Sequence, residues 1–366
     1  MAINKDSNTY TISFAVILVV VVGGLLAFIS TSLKPLQESN VKNEKKQNIL
    51  NCLPGLNFER SDAEANFNVY VKRRVILDYS GNLIEGSERT FENEIDVKDE
   101  LEAFNVNLQK EYRSIAVSDR KYPLFECQIL HVSVNITYPD SFKIEEDSII
   151  KHFEKALDTI KGLEKLNSNA FQGTGSVKLV FNLQLPPSNE AERMVEDALR
   201  RARSYKINEF ERFFAKVLDI DPTIQLEAKT YYVIPVTGKG LWDAIWGYIS
   251  VKSDGETIAG AIFDHKAETP GLGAEINKDE FENQFIKNEN GDPLKIGRVS
   301  SIADLSPDNF KSIKVVKPGS LTDPDAEVDG ISGGTFTSVG VQEMLKRTFY
   351  VYYKHFNERN LQTAKL

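Results

Sequence analysis

A short loop near the C-terminus, "DGISGGTFTSVGV" from Asp329 to Val341, combines adjacent glycines with several hydroxyl side chains. An amphipathic helix is predicted directly after it, because its apolar face recurs at helical spacing: Val341, Met344, Leu345, Thr348, Phe349 and Tyr352. The first amides of a helix lack intrahelical partners, and the macrodipole makes that end positive. Gly333 and Gly334 would let the backbone curl around an anion, so the loop has the composition of a phosphate cradle.

The same residues also fit a plain helix cap. Thr335, Thr337 or Ser338 would serve as the N-cap through its hydroxyl group. The pattern GxxxxGK[ST] is absent, so the loop is not a Walker phosphate loop. Taken alone, the loop leaves both interpretations open.

Composition narrows the classes of function. The 366 residues, 41% of them hydrophobic, describe a folded chain, and a net charge of −9 argues against nucleic acid as a partner. The cysteines Cys52 and Cys127 are far apart, which excludes a disulfide scaffold and a thiolate metal site but allows one bridge or two free thiols. No HExxH or paired-histidine motif occurs, so we expect no metal site.

The N-terminus predicts a membrane anchor. Residues 10–33 contain no charge, and a helix of that length exceeds the roughly 30 Å of a hydrocarbon core. A cleaved signal peptide is the alternative, but its apolar stretch is ordinarily shorter. Residues 34–47 are polar and predict a stalk. Four lysines after the span place the C-terminal part in the cytoplasm by the positive-inside rule.

The remaining chain predicts an α+β protein in which a mixed α/β domain carries an inserted α/β subdomain. Alternating segments predict strands at 231–236, 246–251 and 257–263. Between them and the N-terminal part, residues 146–166 predict a helix, 176–185 a strand, and 189–218 a long helix. We expect residues 48–127 and 228–366 to form one domain and residues 128–227 to form the insertion.

Three stretches in this order resemble the signatures of one domain family. They are "YVIPVTGKGLWDAIWGYISV", "AETPGLGAEI" and "DGISGGTFTS". The last is similar to the flavinylation motif D-x-x-[ST]-G-A-[TS]-x-[TS], in which one hydroxyl carries FMN through a phosphoester bond. Together with an N-terminal span, they resemble the C subunit of the Na⁺-translocating NADH:quinone oxidoreductases, a branch of the FMN-binding domain family.

The resemblance aligns the loop with the motif position by position. Asp329, Ser332, Gly333 and Thr335 match the motif, and Thr335 takes the position of the residue that carries FMN. The chain departs at Gly334, where the family usually has alanine. Thr337 is the nearest rival hydroxyl.

The resemblance also suggests which residues contact the flavin ring. Trp242 lies where the family places an aromatic side chain near the flavin, although a core tryptophan fits the same position. Thr269, Leu272 and Gly273 lie in a proline-fixed turn that suits close approach to the ring, or that is simply a tight turn. Lys317 resembles a lysine that faces the flavin, and a solvated surface lysine is the alternative. His265 and Glu268 receive no role.

The resemblance implies an electron-relay subunit with covalent FMN in a complex that couples NADH oxidation and quinone reduction to Na⁺ export. Its partners would be the other membrane subunits and a magnesium-dependent flavin transferase. The family holds this domain on the periplasmic side of the bacterial inner membrane, whereas the four lysines after the span indicate the cytoplasm. We follow the resemblance. Alternatives are the G subunit of an Rnf-type complex and a flavin-free membrane-anchored interaction module.

Overall fold

The computed structural model describes most of the chain outside the predicted insertion. The described residues are 8–137, 163–171, 176–183, 193–198, 200, 223–288, 290–299 and 305–363. The predicted helix at 189–218 is described only at 193–198 and 200, and these residues are helical. The rest of that prediction lies outside the described residues.

Helices lie mainly towards the two ends of the described chain, with a run of strands between them. The helices are α1 (Asn8–Asn51), α2 (Ala63–Tyr70), α3 (Leu108–Ser114), α4 (Asp279–Glu282) and α5 (Thr335–Thr363). The strands are β1 (Val71–Leu77), β2 (Arg89–Thr90), β3 (Tyr122–Thr137), β4 (Leu163–Phe171), β5 (Ser176–Leu183), β6 (Thr223–Lys239), β7 (Ala244–Lys252), β8 (Ile258–His265), β9 (Lys314–Val316) and β10 (Glu327–Asp329).

An antiparallel sheet forms the centre of the fold. Its strand order is β2-β1-β3-β6-β7-β8, while β5 pairs with both β3 and β4, and the parallel pair β9-β10 stands apart. The strands predicted at 231–236, 246–251 and 257–263 all belong to this sheet. The turn between β7 and β8 contains Gly255 at φ 74°, in the left-handed region that favours glycine. The fold is therefore the α+β arrangement expected from the sequence.

The described strands between Cys127 and Lys229 continue the central sheet. The long strands β3 and β6 pair without a break from Phe125↔Val233 to Asn135↔Thr223, across both expected boundaries of the insertion. β5 then pairs with the outer half of β3. Because Cys127 lies opposite Tyr231, a short connection between these two strands would close the sheet.

Both faces of the sheet are covered by hydrophobic cores. On one face lies α5, with the predicted face Val341, Met344, Leu345, Phe349 and Tyr352 fully buried. On the other face, α2 and the last turn of α1 pack against strands β1, β3 and β6. The periodicity that predicted α5 is thus confirmed, since the same side chains fill the core.

A buried ion pair lies beside the core formed by α2, the end of α1 and the sheet, which is called the second core below. Arg74 and Glu102 have relative exposures of 0% and 1%, and Arg74 Nε donates to Glu102 Oε1 at 2.9 Å. The Arg74 guanidinium also donates to the carbonyl oxygens of Thr90 and Asn93. These bonds compensate the cost of moving both charges out of water.

Helix α1 joins the apolar N-terminal segment to the folded domain. It is the helix in the described chain that is long and apolar enough to cross a membrane, and its apolar side chains from Ile12 to Leu33 are exposed. The polar residues 34–47 continue the same helix through Pro35. At its far end Ile49 and Leu50 are buried, and Gln47 Nε2 donates to the Phe58 carbonyl oxygen.

Two expectations from the sequence are decided by the fold. Leu163 to Leu166, expected at the end of a helix, belong to β4, because pairing with β5 overrides a short helical pattern. The remainder of that expected helix lies outside the described residues. Cys52 and Cys127 are both free and buried, so the bridge that the sequence allowed is absent.

Candidate functional site

The glycine-rich loop leads directly into α5. Thr335 is the first residue of the helix, and the Gly334 carbonyl oxygen accepts the first helical bond from the Ser338 amide at 2.9 Å. Gly333 adopts φ 73°, which reverses the chain ahead of the helix. Gly334 therefore stands at the N-cap position, and no hydroxyl side chain serves as the cap that the sequence allowed.

The hydroxyl groups of the loop differ in exposure. Thr335 and Ser332 are exposed, whereas Thr337 and Ser338 have relative exposures of 1% and 6%. The Ser338 hydroxyl oxygen accepts from the Ile331 amide at 3.0 Å, which folds the loop back on the helix. Of the motif's two helical threonines, Thr335 is thus exposed and Thr337 is buried.

A cleft of about 290 Å³ opens beside Thr335. Its lining combines the end of β9 with the glycine-rich loop: Val315 to Pro318, Gly330 to Gly333, Thr335, Ser338 and Val339. Lys317 is exposed at its rim and forms no ion pair with the residues that the structure describes. The ammonium group and the positive end of α5 both favour an anionic ligand here.

Apolar side chains are exposed on the parts of the site next to this cleft. Trp242 and Phe336 have relative exposures of 65% and 71%, and Leu241 and Leu272 of 48% and 41%. The Trp242 indole Nε1 donates to Thr269 Oγ1 at 3.2 Å. Such large exposed apolar surfaces are typical of binding sites.

The three sequence signatures meet at α5. A Cβ atom on Gly333 would lie 2.6 Å from Leu272 Cδ2, and one on Gly273 would lie 2.3 Å from Thr337 Oγ1. The structure therefore brings Trp242, Thr269, Leu272 and Gly273 together with the glycine-rich loop. Lys317 lines the cleft together with residues of that loop.

Glu268 belongs to this site, although the sequence assigned it no role. Its carboxylate is buried and accepts from the Trp242 amide at 3.0 Å and from Thr337 Oγ1 at 2.5 Å. Burial alone raises the pKa of Glu268, but hydrogen bonds from Thr337 and the backbone amides of residues 241–243 outweigh it and lower the pKa. His265 ends β8 opposite Ile245 and accepts from the Glu268 amide through Nδ1 at 3.2 Å.

The sequence contains a signal for this carboxylate. Glu268 stands between two glycines in space, and a Cβ on Gly240 would lie 2.4 Å from its Oε1. A glycine in each of two separate signatures, here Gly240 and Gly273, indicates that some third group packs closely against both of them. The partners of Glu268 lie 26 and 69 residues away, so spacing alone does not reveal which group it is.

The residues present fit a flavin nucleotide. Thr335 offers an exposed hydroxyl group, the start of α5 offers amide donors for phosphate, and the exposed tryptophan and leucines offer an apolar surface for a ring. The described residues contain no group of three His, Cys, Asp or Glu side chains arranged to hold a metal ion. A second groove of about 560 Å³ lies at the end of α1, beside β8 and away from Thr335.

Comparison with known proteins identifies this part of the chain. Residues 240–349 match the FMN-binding domain family, and that range contains every site residue predicted from the sequence. The fold and the site thus define a protein that carries an FMN-binding domain.

Among proteins of that class, the chain is similar to the C subunit of the Na⁺-translocating NADH-quinone reductase. It is 36% identical to that subunit from Vibrio anguillarum over 111 residues, 30% of this chain and 38% of the relative. It is 35% identical to that from Chlamydia caviae over 127 residues, 33% of this chain and 38% of the relative. The resemblance drawn from the sequence is confirmed, although the match spans 38% of the length of these relatives.

A solved structure of such a subunit is also similar to this chain. The crystal structure of the C subunit from Parabacteroides distasonis is 26% identical and covers 88% of this chain and 96% of its own, with a TM-score of 0.48.

Proposed function

We propose that FMN is joined through its phosphate to Thr335 Oγ1 and that the chain is an electron-relay subunit. The observation that carries the proposal is the exposed Thr335 hydroxyl at the start of α5, beside the cleft and within the matched FMN-binding domain. Bound FMN would supply one-electron transfer between redox centres.

Attachment requires a second protein. A threonine hydroxyl is a weak nucleophile near neutral pH and needs a base to take its proton. The buried carboxylate of the site, Glu268, accepts a hydrogen bond from Thr337 rather than from Thr335. We propose that a magnesium-dependent flavin transferase supplies the base: Thr335 Oγ1 attacks the FMN phosphorus of FAD, the P–O bond to AMP breaks, and AMP leaves.

The remaining site residues would hold the two ends of the cofactor. Gly333, Gly334 and the first amides of α5 would cradle the phosphate, with Ser332 beside them. Lys317 would add positive charge at the cleft. Trp242, Leu272 and the turn at Thr269 and Gly273 would contact the ring. The bond at the phosphate would tether the flavin, while the ring contacts would tune its potential.

A denaturing gel tests the attachment. The full chain expressed in membranes with the transferase should give a fluorescent flavin band that survives denaturation and disappears in Thr335→Ala. Thr337→Ala is the matched control, and its band should remain fluorescent. A colourless wild-type band in the presence of active transferase would contradict the proposal.

We further propose that the chain is anchored by residues 10–33 in a bacterial inner membrane, with the FMN domain on the periplasmic side. The exposed apolar face of α1 supports the anchor. The similarity to the C subunits favours the periplasm over the cytoplasmic side indicated by the flanking lysines.

A reporter that is active only in the cytoplasm, fused after Leu366, should be inactive. A reporter that requires the periplasm, fused at the same residue, should be active. The reverse pair of results would place the domain in the cytoplasm.

The complex itself is part of the proposal. The relatives named above are subunits of a Na⁺-translocating NADH-quinone reductase. We propose that this chain assembles with the other membrane subunits of such a complex, which oxidises NADH, reduces quinone and exports Na⁺. Mild-detergent purification through a tag on this chain should recover those subunits, and recovery of the chain alone would contradict this assignment.

A further inference from the structure

The carboxylate of Glu268 lies where three separate parts of the site meet. They are the loop 240–243 after β6, the turn 269–273 and the first turn of α5. Glu268 itself has a relative exposure of 5%, so its charge is held inside the protein. A buried charge is costly unless its hydrogen bonds are satisfied, so its partners show what it stabilises.

Each carboxylate oxygen holds a different part. Oε1 accepts from the Trp242 amide at 3.0 Å, and Oε2 accepts from Thr337 Oγ1 at 2.5 Å. The glycines around the carboxylate leave it just enough space: a Cβ on Gly240 would lie 2.4 Å from Oε1, and a Cβ on Gly273 would lie 2.5 Å from Oε2. The carboxylate therefore links the loop, the turn and the helix directly.

The second of these bonds affects which hydroxyl group can react. Thr337 donates its proton to Glu268 and has a relative exposure of 1%, so it cannot reach an incoming nucleotide. Thr335, two residues earlier, is exposed and makes no such bond to a carboxylate of the described chain.

We propose that Glu268 is the positioning residue of the flavin site: it withdraws the Thr337 hydroxyl, fixes the loop that carries Trp242, and so leaves Thr335 as the residue for attachment. This inference rests on the proposed attachment of FMN. Glu268 acts through Thr337 and Trp242 and makes no contact with the reacting atoms.

Four variants separate hydrogen bonding from packing. Glu268→Ala removes the bonds and the volume, and Glu268→Met keeps most of the volume without accepting a bond. Glu268→Gln keeps an oxygen for the Trp242 amide and turns an NH₂ group toward the Thr337 oxygen, which can accept. Glu275→Ala is the matched control, because Glu275 accepts from the Gly271 amide in the same turn but contacts neither Thr337 nor Trp242.

The first measurement follows the loop itself in the full chain in detergent. Hydrogen exchange of the amides of residues 241–243 should accelerate about tenfold in the Ala and Met variants, which is the effect of losing one buried hydrogen bond. The Gln and Glu275→Ala variants should exchange at nearly the wild-type rate. Equal rates in the Met and Gln variants would mean that Glu268 only fills space, which would overturn the inference.

The second measurement reads Trp242 optically. The chain contains two tryptophans, so Trp246→Phe leaves Trp242 as the single emitting residue. In the flavin-bound protein its emission should be quenched, and, compared at equal flavin content, it should recover in the Ala and Met variants but not in the Gln variant. Unchanged quenching in all variants would show that Glu268 does not position Trp242.

The third measurement locates the flavin by mass spectrometry of the peptide containing Thr335 and Thr337. The wild type and the Gln variant should carry FMN on Thr335 alone. The Ala and Met variants should lose roughly threefold or more of that flavin, because the geometry of attachment is no longer held, and part of the remainder should be on Thr337. Full and exclusive occupancy of Thr335 in every variant would contradict the proposal.

Failure of the two proposals looks different. A wild-type chain without flavin contradicts the proposed function, while hydrogen exchange in the flavin-free protein still decides the role of Glu268. If the wild-type chain carries flavin on Thr335 and the Glu268 variants behave like the wild type, only the inference is contradicted.

Discussion

Two of the four hydroxyl side chains between Ser332 and Ser338 are buried, and this difference separates Thr335 from Thr337. The sequence alone left Thr337 as a rival to Thr335. The buried hydrogen bond from Thr337 to Glu268 argues against that rival, while Thr335 stands exposed at the first position of α5. At the scale of single residues, the arrangement depends on partners that are distant in the chain.

Gly334 is the position at which this chain departs from the family motif. A Cβ there would meet Ile331 Cβ at 3.0 Å and Cγ2 at 3.1 Å, so Ile331 must shift by a few tenths of an ångström. Alanine is also a poorer N-cap than glycine. We therefore expect Gly334→Ala to reduce the free energy of unfolding by about 0.5–1 kcal/mol and to retain covalent flavin, measured by urea denaturation and by gel fluorescence.

Gly273→Ala is the matched comparison. Its Cβ would lie 2.3 Å from Thr337 Oγ1 and 2.5 Å from Glu268 Oε2, both of which are buried. We expect a loss of about 1–3 kcal/mol from overpacking and a clear reduction in bound flavin. Similar behaviour of the two variants would show that the turn is looser than the structure indicates.

At the scale of elements, the sequence predicts what depends on local periodicity. The apolar face of α5 and the strands β6, β7 and β8 follow from patterns that each segment carries by itself. The end of the helix expected at 146–166 was wrong because Leu163 to Leu166 pair with β5, a choice that a short apolar run does not specify. The hydrogen bonds of Glu268 were missed for the same reason, since its partners come from two other parts of the chain.

Helix α4 carries a carboxyl group with an unusual pKa. Burial, chiefly, and repulsion by Asp279 and Asp264 raise the pKa of Glu282 to about 7 from 4.5, although the Phe263 amide donates to it at 2.6 Å. A raised pKa in the folded state means that the group's contribution to stability is fully present below pH 4.5 and is lost as the pH rises through about 7.

The wild-type protein should therefore become less stable between about pH 4.5 and 7, relative to Glu282→Gln, by up to about 3 kcal/mol at 1.36 kcal/mol per pKa unit. Urea denaturation in detergent at several pH values measures the difference. Glu280→Gln is the control, because Glu280 is exposed on the same helix and should leave the pH dependence unchanged. Parallel pH profiles for the wild type and Glu282→Gln would contradict the prediction.

At the scale of the whole molecule, the question is whether residues 128–227 belong to the flavin domain. The sequence predicts an insertion, and the division into domains stays a prediction. The strands β3 and β6 pair continuously into that segment, and Ile129 is fully buried in the second core. The flavin site, however, uses residues from Gly240 onward.

We expect that replacing Gln128 to Glu227 with a short Gly-Ser linker leaves flavin attachment intact, because Cys127 and Tyr231 already lie opposite each other. Removing Ile129 from the core should lower the free energy of unfolding by about 1.5–3 kcal/mol. Gel fluorescence and urea denaturation measure the two effects. A folded deletion variant without flavin would show that the segment is needed by the site.

Because α1 is one continuous helix, it also sets the distance of the domain from the membrane and the rotation of the domain about the helix axis. If residues 10–33 cross a bilayer, the polar turns that follow form a stiff spacer of roughly 20 Å at about 1.5 Å per residue, and its last turn is locked into the core by Ile49 and Leu50. Each residue added to that spacer would swing the cofactor by about 100° around the helix axis. A seven-residue addition would instead lift it by about 10 Å while almost preserving its bearing toward neighbouring subunits.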